Sequence, residues 1–180
     1  MTNIQKTAAV MRHLLEDIAD TTRIEAGEFR LRTAPHDART LVLEAGATFA
    51  PVAQAAGITL DLDAGEVPRV ATFDDHRVLQ VLANLLTNAL KFTPKGGRVR
   101  LRVRAESAHL RFEVEDTGPG IPVAHRADIF EKFWQGEGVS GRGVGLGLYI
   151  ARHIVMAHGG VIGVESSEGR GATFFFTLPA

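Results

Sequence analysis

The sequence predicts an α+β sandwich: a mixed, mostly antiparallel sheet with three helices on one face, preceded by one long N-terminal helix. Three observations carry that prediction. Four segments repeat their apolar residues at helical spacing, two neighbouring segments alternate with a period of two, and glycine crowds the second half of the chain. All but four of the 19 glycines (Gly27, Gly46, Gly57 and Gly65) lie between Gly96 and Gly171. Glycine permits positive φ and close backbone approach at an entropic cost, so the crowding points to a site built from loops.

Taken in order, residues 4–26 read as the first helix. Ile4, Ala8, Met11, Leu15, Ile18 and Thr22 are spaced 4-3-4-3-4, a narrow seam of the kind that helices use to pack in pairs. The alternative is an amphipathic helix lying on the domain's own core. The narrow stripe favours a protruding helix that needs a partner, stopped at Gly27. Pro35 is expected to open a second helix to about Ala56, with Leu41, Val42, Ala45, Phe49 and Val52 as its apolar face. Ile58–Asp63 and Arg69–Phe73 read as short strands. Asp74 or Asp75 caps a third helix to Phe92, with Val78, Leu82, Leu85 and Ala89 inward, and Thr93–Gly97 turns the chain.

Residues 98–104 place Arg98, Arg100, Arg102 and Arg104 between Val99, Leu101 and Val103. Residues 109–116 place His109, Arg111, Glu113 and Glu115 between Leu110, Phe112 and Val114. Each is a half-buried strand with one wet face. The arginines are expected to pair with Glu113 or Glu115 across the strands rather than to bind nucleic acid. A glycine-rich stretch over 117–143 is broken only by a turn around Asp128–Trp134. A fourth helix is expected over Gly143–His158, and 161–166 with 172–178 close the chain as a hairpin.

Composition removes whole classes of function. With 180 residues, 45% apolar and 23% charged, the chain is an ordinary globular domain with an appendage. A net charge of −1 gives no reason to expect nucleic acid. No apolar run approaches the ~18 residues of a membrane span, and Met1–Val10 is too polar for a signal peptide. The expectation is a cytoplasmic chain with no membrane insertion of its own. The absence of cysteine excludes disulfides, thiol nucleophiles and thiolate metal sites.

Three constellations carry chemistry. Asp116 continues the apolar side of its strand, and a carboxylate there needs a partner because unpaired burial is costly. Thr117-Gly118-Pro119-Gly120 directly after it lets a backbone pass close to whatever Asp116 holds, although a strand-end Asp that merely caps a turn looks the same. On the third helix Gln80, Asn84, Asn88 and Lys91 share one stripe. Asparagine is a mediocre helix former, amide oxygens suit Mg²⁺, and an ammonium one turn on suits a phosphate; the plain alternative is a solvent face. Last, Gly141-Arg142-Gly143-Val144-Gly145-Leu146-Gly147-Leu148 flows into an apolar helix, whose N-terminus offers N–H groups to phosphate. It is neither a Walker loop nor a dinucleotide fingerprint. Together they describe an ATP pocket.

The order and spacing of these segments resemble the Bergerat-type ATP-binding domain, most closely the catalytic domain of sensor histidine kinases. Asn84-Leu-Leu-Thr-Asn88-Ala-Leu-Lys91-Phe92-Thr93-Pro94 resembles the family's N box and Asp116-Thr-Gly118-Pro-Gly120-Ile121-Pro122 its G1 box. Ile129-Phe130-Glu131-Lys132-Phe133 resembles the F box, and Gly143-Val144-Gly145-Leu146-Gly147-Leu148 the G2 box. Gly169-Arg-Gly171-Ala-Thr173-Phe174 resembles the closing hairpin. The resemblance covers about residues 35–180.

It implies that Asp116 accepts the adenine amino group, Asn88 coordinates Mg²⁺ with Asn84 alongside, and Lys91 meets the phosphates. Phe92 would lie on the purine. Gly118, Gly120, Ile121, Gly143, Val144, Gly145, Leu146, Gly147, Leu148 and Thr173 would line the nucleotide. Residues between Phe133 and Gly143 would form a lid, from which Lys132 and Arg142 reach the phosphates. Hydrolytic relatives place a Glu that activates water where Asn84 stands; an amide cannot take that proton, which favours a kinase over a hydrolase.

Such kinases phosphorylate a histidine in an H box on the first helix of a dimerising hairpin. Residues 14–31 resemble the second helix of that hairpin, so residues 1–33 are expected to be its remnant and 34–180 the catalytic domain. No H box precedes it, so transfer to a histidine on a separate or missing segment is expected, then to a response regulator receiver domain. A homodimer through the N-terminal helix is a further expectation. His36-Asp37-Ala38-Arg39-Thr40 imitates an H box but falls in the ATP-binding part, where it reads as a polar helix start. Phe175 departs from the family in facing outward and is read as a partner contact or an incidental exposed aromatic. The rival reading is a regulatory module that binds nucleotide and docks on a kinase or response regulator without phosphotransfer.

Overall fold

The computed structural model describes residues 3–66, 69–135 and 144–180, with side chains from Met11 onward except His13. Helix α1 spans Asn3–Glu25 and strand β1 Ala34–Asp37; α2 follows over Ala38–Ala56, then β2 Thr59–Asp63 and β3 Val70–Phe73. Helix α3 is Asp75–Phe92, β4 Arg98–Glu106, β5 His109–Asp116, α4 Gly147–Ala157, β6 Ile162–Ser166 and β7 Ala172–Pro179. Two 3₁₀ turns, Val123–His125 and Asp128–Phe130, lie between β5 and α4.

The main sheet has the order β2-β4-β5-β7-β6, with β2 parallel to β4 and every other pair antiparallel. It is the mixed, mostly antiparallel sheet expected. Its inner face carries Val99, Leu101, Val103, Leu110, Phe112, Val114, Phe174, Phe176 and Leu178, all buried, and Phe112 stacks on Phe176 with ring centres 4.7 Å apart. Leu82, Leu85 and Leu86 of α3 and Ile150 and Ile154 of α4 complete the core. Burying one such side chain stabilises the fold by about 1.5–3 kcal/mol, which is why two clean alternating strands predict the layer so well.

Three expectations need correction. Pro35 does not open α2: residues 34–37 are extended and pair with β3, and Asp37 is the cap, accepting from the Arg39 N–H at 3.0 Å. Proline restricts its preceding residue to extended backbone, so a strand before the cap is the natural outcome. The β1–β3 pair is a separate two-stranded sheet, so β3 does not join the main one. Helix α4 starts at Gly147 rather than Gly143; Gly145 has φ +76°, which no right-handed helix accommodates, and Gly143 lies outside the described residues.

The open face of the sheet bears out the cross-strand reading of the arginines. Arg102 pairs with Glu113, and Arg111 reaches both Glu113 and Glu165 at 2.9 Å. Burial works to raise the Glu113 carboxyl, but hydrogen bonds and charge from Arg111 and Arg102 hold it below its ordinary value. Phe175 is absorbed here as well. The Arg111 guanidinium lies 3.9 Å above its ring centre, and the ring covers Gly163, where a Cβ would approach to 2.7 Å. This within-sheet stack accounts for it without a partner.

Helix α1 turns its polar side inward. Asp17, Asp20 and Thr21 are buried, while Met11, Leu15 and Ile18 are 59%, 66% and 56% exposed. Asp20 accepts from Arg77 at 2.6 Å and from Gln80 at 2.9 Å, both on α3. Burial opposes ionisation of Asp20, yet these bonds and the charges of Arg77 and Arg23 hold its carboxyl below the usual value. The expected seam is therefore presented outward at Met11, Leu15 and Ile18. The side chains of Ile4 and Ala8 lie outside the described residues.

One position tests this packing. A Cβ at Gly171, whose φ is +79°, would fall 1.9 Å from the Asp116 carbonyl oxygen. Gly171→Ala is expected to cost about 2 kcal/mol or more in urea unfolding; a variant as stable as the parent contradicts this arrangement.

Candidate nucleotide site along helix α3

Helix α3 passes beneath two glycine loops and joins them. Asp74 caps it, accepting from the Arg77 N–H at 3.0 Å, and its inner face is locked by Val78, Val81, Leu82, Leu85 and Leu86. With that face fixed, Asn84, Asn88 and Lys91 fall along one neighbouring edge. Asn84 is buried and donates through Nδ2 to the Gly147 carbonyl at 2.9 Å, tying α3 to the start of α4. A Cβ on Gly147 would come within 3.3 Å of that amide carbon.

Eight residues on, about 12 Å along the axis, α3 ends against the other loop. A Cβ on Gly118 would meet the Phe92 carbonyl oxygen at 3.0 Å and Asp116 Oδ1 at 2.8 Å. Between the two contacts lie Asn88 and Lys91, both half-buried, and the Lys91 ammonium sits 4.8 Å from the centre of the Phe92 ring.

Asp116 closes this end. It is 6% exposed, and its Oδ1 accepts from the Gly118 N–H at 2.8 Å. Burial pushes its carboxyl above the ordinary value; backbone hydrogen bonds from Gly118 and Ala172 oppose that, and the Glu115 charge adds to it. Among the described residues it has backbone donors and no cation. The turn-capping role and the buried anion thus coexist. An anion so placed is a ready acceptor for a neutral donor such as an amino group.

The F-box segment is anchored through its first half. Ile129 and Phe130 are buried, with Phe130 edge-on to Phe174. Phe133 stands 57% exposed at φ +64°, and its N–H donates to the Gly145 carbonyl at 3.0 Å. Gly145 is glycine because a Cβ would strike the Trp134 carbonyl at 2.6 Å. Val144 is half-exposed, Leu146 is buried in the core and Leu148 is packed against it. Arg142, Gly143 and the rest of the expected lid lie outside the described residues.

Several sequence-predicted residues are not brought to the cleft. Gln80 shares the helical stripe but is committed to Asp20 and Arg77. Lys132 pairs with Glu25 of α1 and lies over Phe133. Thr173 is on the wrong face: Ala172 is the register partner of Asp116, while Thr173 pairs with Glu115 on the open side. His36 sits in β1, 3.8 Å from Asp75 at the far end of α3, about 20 Å along the helix from Asn88. Ser166, which sequence reading passed over as an ordinary strand residue, bonds the G1 loop; nothing in the local pattern marks it.

These features coincide with known proteins. The family model described as histidine kinase-, DNA gyrase B-, and HSP90-like ATPase matches residues 73–180, and the chain belongs to that family. It is 41% identical over 175 residues to the circadian input-output histidine kinase CikA of Synechococcus elongatus, covering 93% of this chain and 23% of that protein. It is 36% identical over 167 residues to the alginate biosynthesis sensor protein KinB of Pseudomonas aeruginosa, covering 92% and 28%. The structure of full-length ShkA in complex with AMPPNP superposes with TM-score 0.83 at 34% identity, over 99% of this chain and 39% of that one. The chain spans about a quarter of the length of these two sensor proteins.

Because burial already disfavours the ionised carboxyl, Asp116→Asn is expected to leave the nucleotide-free domain as stable as the parent or more so at neutral pH. The sign follows from linkage: a folded carboxyl pushed above its unfolded value near 3.8 stabilises at lower pH and loses that contribution as pH rises through the folded value. Thermal melts at pH 4 and pH 7 check it; a variant clearly less stable at pH 7 contradicts the assignment.

Proposed function

We propose that this chain is the ATP-binding catalytic part of a two-component sensor histidine kinase, which transfers the γ-phosphoryl group of Mg-ATP to a histidine on a segment outside residues 34–180. The observation that carries the reading is the Asp116 carboxyl, buried and without a cation among the described residues, beside a glycine loop about 12 Å along α3 from a second glycine loop. That span suits a nucleoside triphosphate laid along one helix, base at Asp116 and phosphates towards Gly145 and Gly147.

In this reading the Asp116 carboxylate accepts from the adenine amino group, and Phe92, 41% exposed at the end of α3, lies against the purine. Gly118, Gly120 and Ile121 bring backbone close to the base. The phosphates meet Lys91 and the backbone N–H groups at Gly145 and Gly147. The donor set for a divalent ion is sparse: among the described residues no cluster of three or more His, Asp or Glu can hold one. A carboxamide plus the phosphates themselves is a fit for Mg²⁺, and Asn88 is the residue that would hold it. The ion would supply neutralisation of phosphate charge. Asn84 keeps its amide N–H on Gly147 and holds the phosphate loop against α3, which makes it a positioning group rather than a base.

The chemistry is then in-line displacement. An imidazole nitrogen of the acceptor bonds to the γ-phosphorus, the bond to the bridging oxygen breaks, ADP departs and the imidazole loses its proton to solvent. The missing carboxylate at position 84 disfavours water as the attacking group. The acceptor would approach along the groove of about 610 Å³ between α1 and α3, lined by Arg12, Leu15, Asp20, Arg77 and Asn84. The exposed Met11, Leu15 and Ile18 would seat the histidine-bearing helix or a second copy of α1. The phosphohistidine would pass its group to a response regulator receiver domain. No described helix is long and apolar enough to cross a membrane.

The decisive experiment supplies an H-box hairpin in trans with labelled ATP and Mg²⁺. Acid-labile label is expected on the hairpin, and none on this chain incubated alone. Nucleotide binding with no transfer to any hairpin would instead favour a regulatory module. Replacing Asn88 by Ala is expected to reduce transfer by about 100-fold while leaving Mg²⁺-free ADP binding within about threefold of the parent.

A further inference from the structure

We propose that Ser166 is a positioning residue for recognition of the adenine base. Its hydroxyl pins the loop that follows Asp116 to the β6–β7 hairpin, and the inference rests on the reading of Asp116 given above. Two hydrogen bonds define the pin. The Ser166 Oγ accepts from the Ile121 N–H at 2.8 Å and donates to the Gly171 carbonyl at 2.7 Å, so the hydroxyl acts as acceptor and donor at once. Alanine can do neither, and a cysteine thiol can do both only weakly.

The hairpin turn touches the loop at three further points. The Gly169 N–H donates to the Pro119 carbonyl at 2.7 Å. A Cβ on Gly120 would strike the Ser167 carbonyl at 2.2 Å, and one on Gly171 the Asp116 carbonyl at 1.9 Å. Loop and turn are thus main chain against main chain, with no side-chain cushion between them. The Gly118 N–H that holds Asp116 Oδ1 belongs to the same loop, three residues before Ile121. Freeing Ile121 therefore loosens the group that aims the carboxylate.

What distinguishes this from general stabilisation is that the loop serves only one end of the cleft. The phosphate end is held separately, through Asn84 and Gly147 and through Phe133 and Gly145. Loss of the Ser166 pin should consequently weaken discrimination at the base and spare the triphosphate.

The test compares ATP with inosine triphosphate, which carries a carbonyl where adenine carries its amino group. Calorimetric Kd values for both are measured on the parent chain, Ser166→Ala, Ser166→Cys and Ser166→Thr. The parent is expected to prefer ATP. Ser166→Ala and Ser166→Cys are expected to cut that preference about five- to tenfold, the value of one lost hydrogen bond. Ser166→Thr, which keeps the hydroxyl, is expected to retain it. The cysteine variant fills the place of the hydroxyl with a larger thiol that is only a weak donor and acceptor, so it answers even if alanine impairs folding. Parental preference in Ser166→Ala or Ser166→Cys overturns the proposal.

A second readout needs no nucleotide. Amide exchange at Ile121 in the free protein is expected to quicken in Ser166→Ala or Ser166→Cys and to stay slow in Ser166→Thr. Unchanged exchange overturns the pin. A parent without ATP preference would refute the adenine assignment of Asp116, and with it the role of Ser166 in base recognition, whatever the exchange shows.

Discussion

A carboxylate kept out of water, with no cation beside it among the described residues, is the constraint around which the rest of this domain is arranged. Asp116 stands where β5 leaves the core, 6% exposed, with backbone N–H groups as its described donors. Leaving an anion so placed is costly unless a donor completes its shell. The surrounding glycines follow from that cost. Gly118 brings its N–H to Asp116 Oδ1, which a Cβ there would approach to 2.8 Å, and Gly171 lets the chain pass the Asp116 main-chain carbonyl, which a Cβ would approach to 1.9 Å.

Helix α3 turns this local device into a cleft. One helix carries the contact to Gly118 at its C-terminal end and the bond to Gly147 two turns earlier, so both loops take their positions from the same rigid body. The core faces of α3 and the sheet, with Leu82, Leu85 and Phe112 fully buried, keep that body from shifting. The N-terminal end of α3 is bound into a different set of contacts, through Asp74 to Arg32 and through Asp20 to Arg77. Helix α1 is thus coupled to the floor of the cleft by polar bonds, while its apolar residues stay outside.

Most of this was legible in the sequence where a single physical rule dominated. The alternation in 98–104 and 109–116 dictated which side of each strand is buried, and with it the inward side chain of Asp116. The stripe on α3 put Asn84, Asn88 and Lys91 on one edge of that helix, where the structure has them. It misled at Gln80, because shared helical phase does not say which neighbouring helix takes the polar group. Thr173 was misplaced by motif resemblance, although the two-residue period of β7, with Phe174 and Phe176 inward, already put it on the outer face. The strand at 34–37 was missed because proline at a helix start and proline at a strand edge look alike locally. Ser166 was invisible for a different reason: its partners, Ile121 and Gly171, are set by tertiary contact. Phe175 gained its explanation only from Arg111, remote in sequence but on the neighbouring strand, two positions from Glu113, the register partner of Phe175.

The most direct measurement is the titration of the Asp116 carboxyl carbon by NMR, in the free protein and with saturating ADP. The account predicts a pKa above the ordinary carboxylate value in the free state and a fall when the adenine amino group donates to the charged form. A carboxyl that titrates identically with and without nucleotide would contradict it.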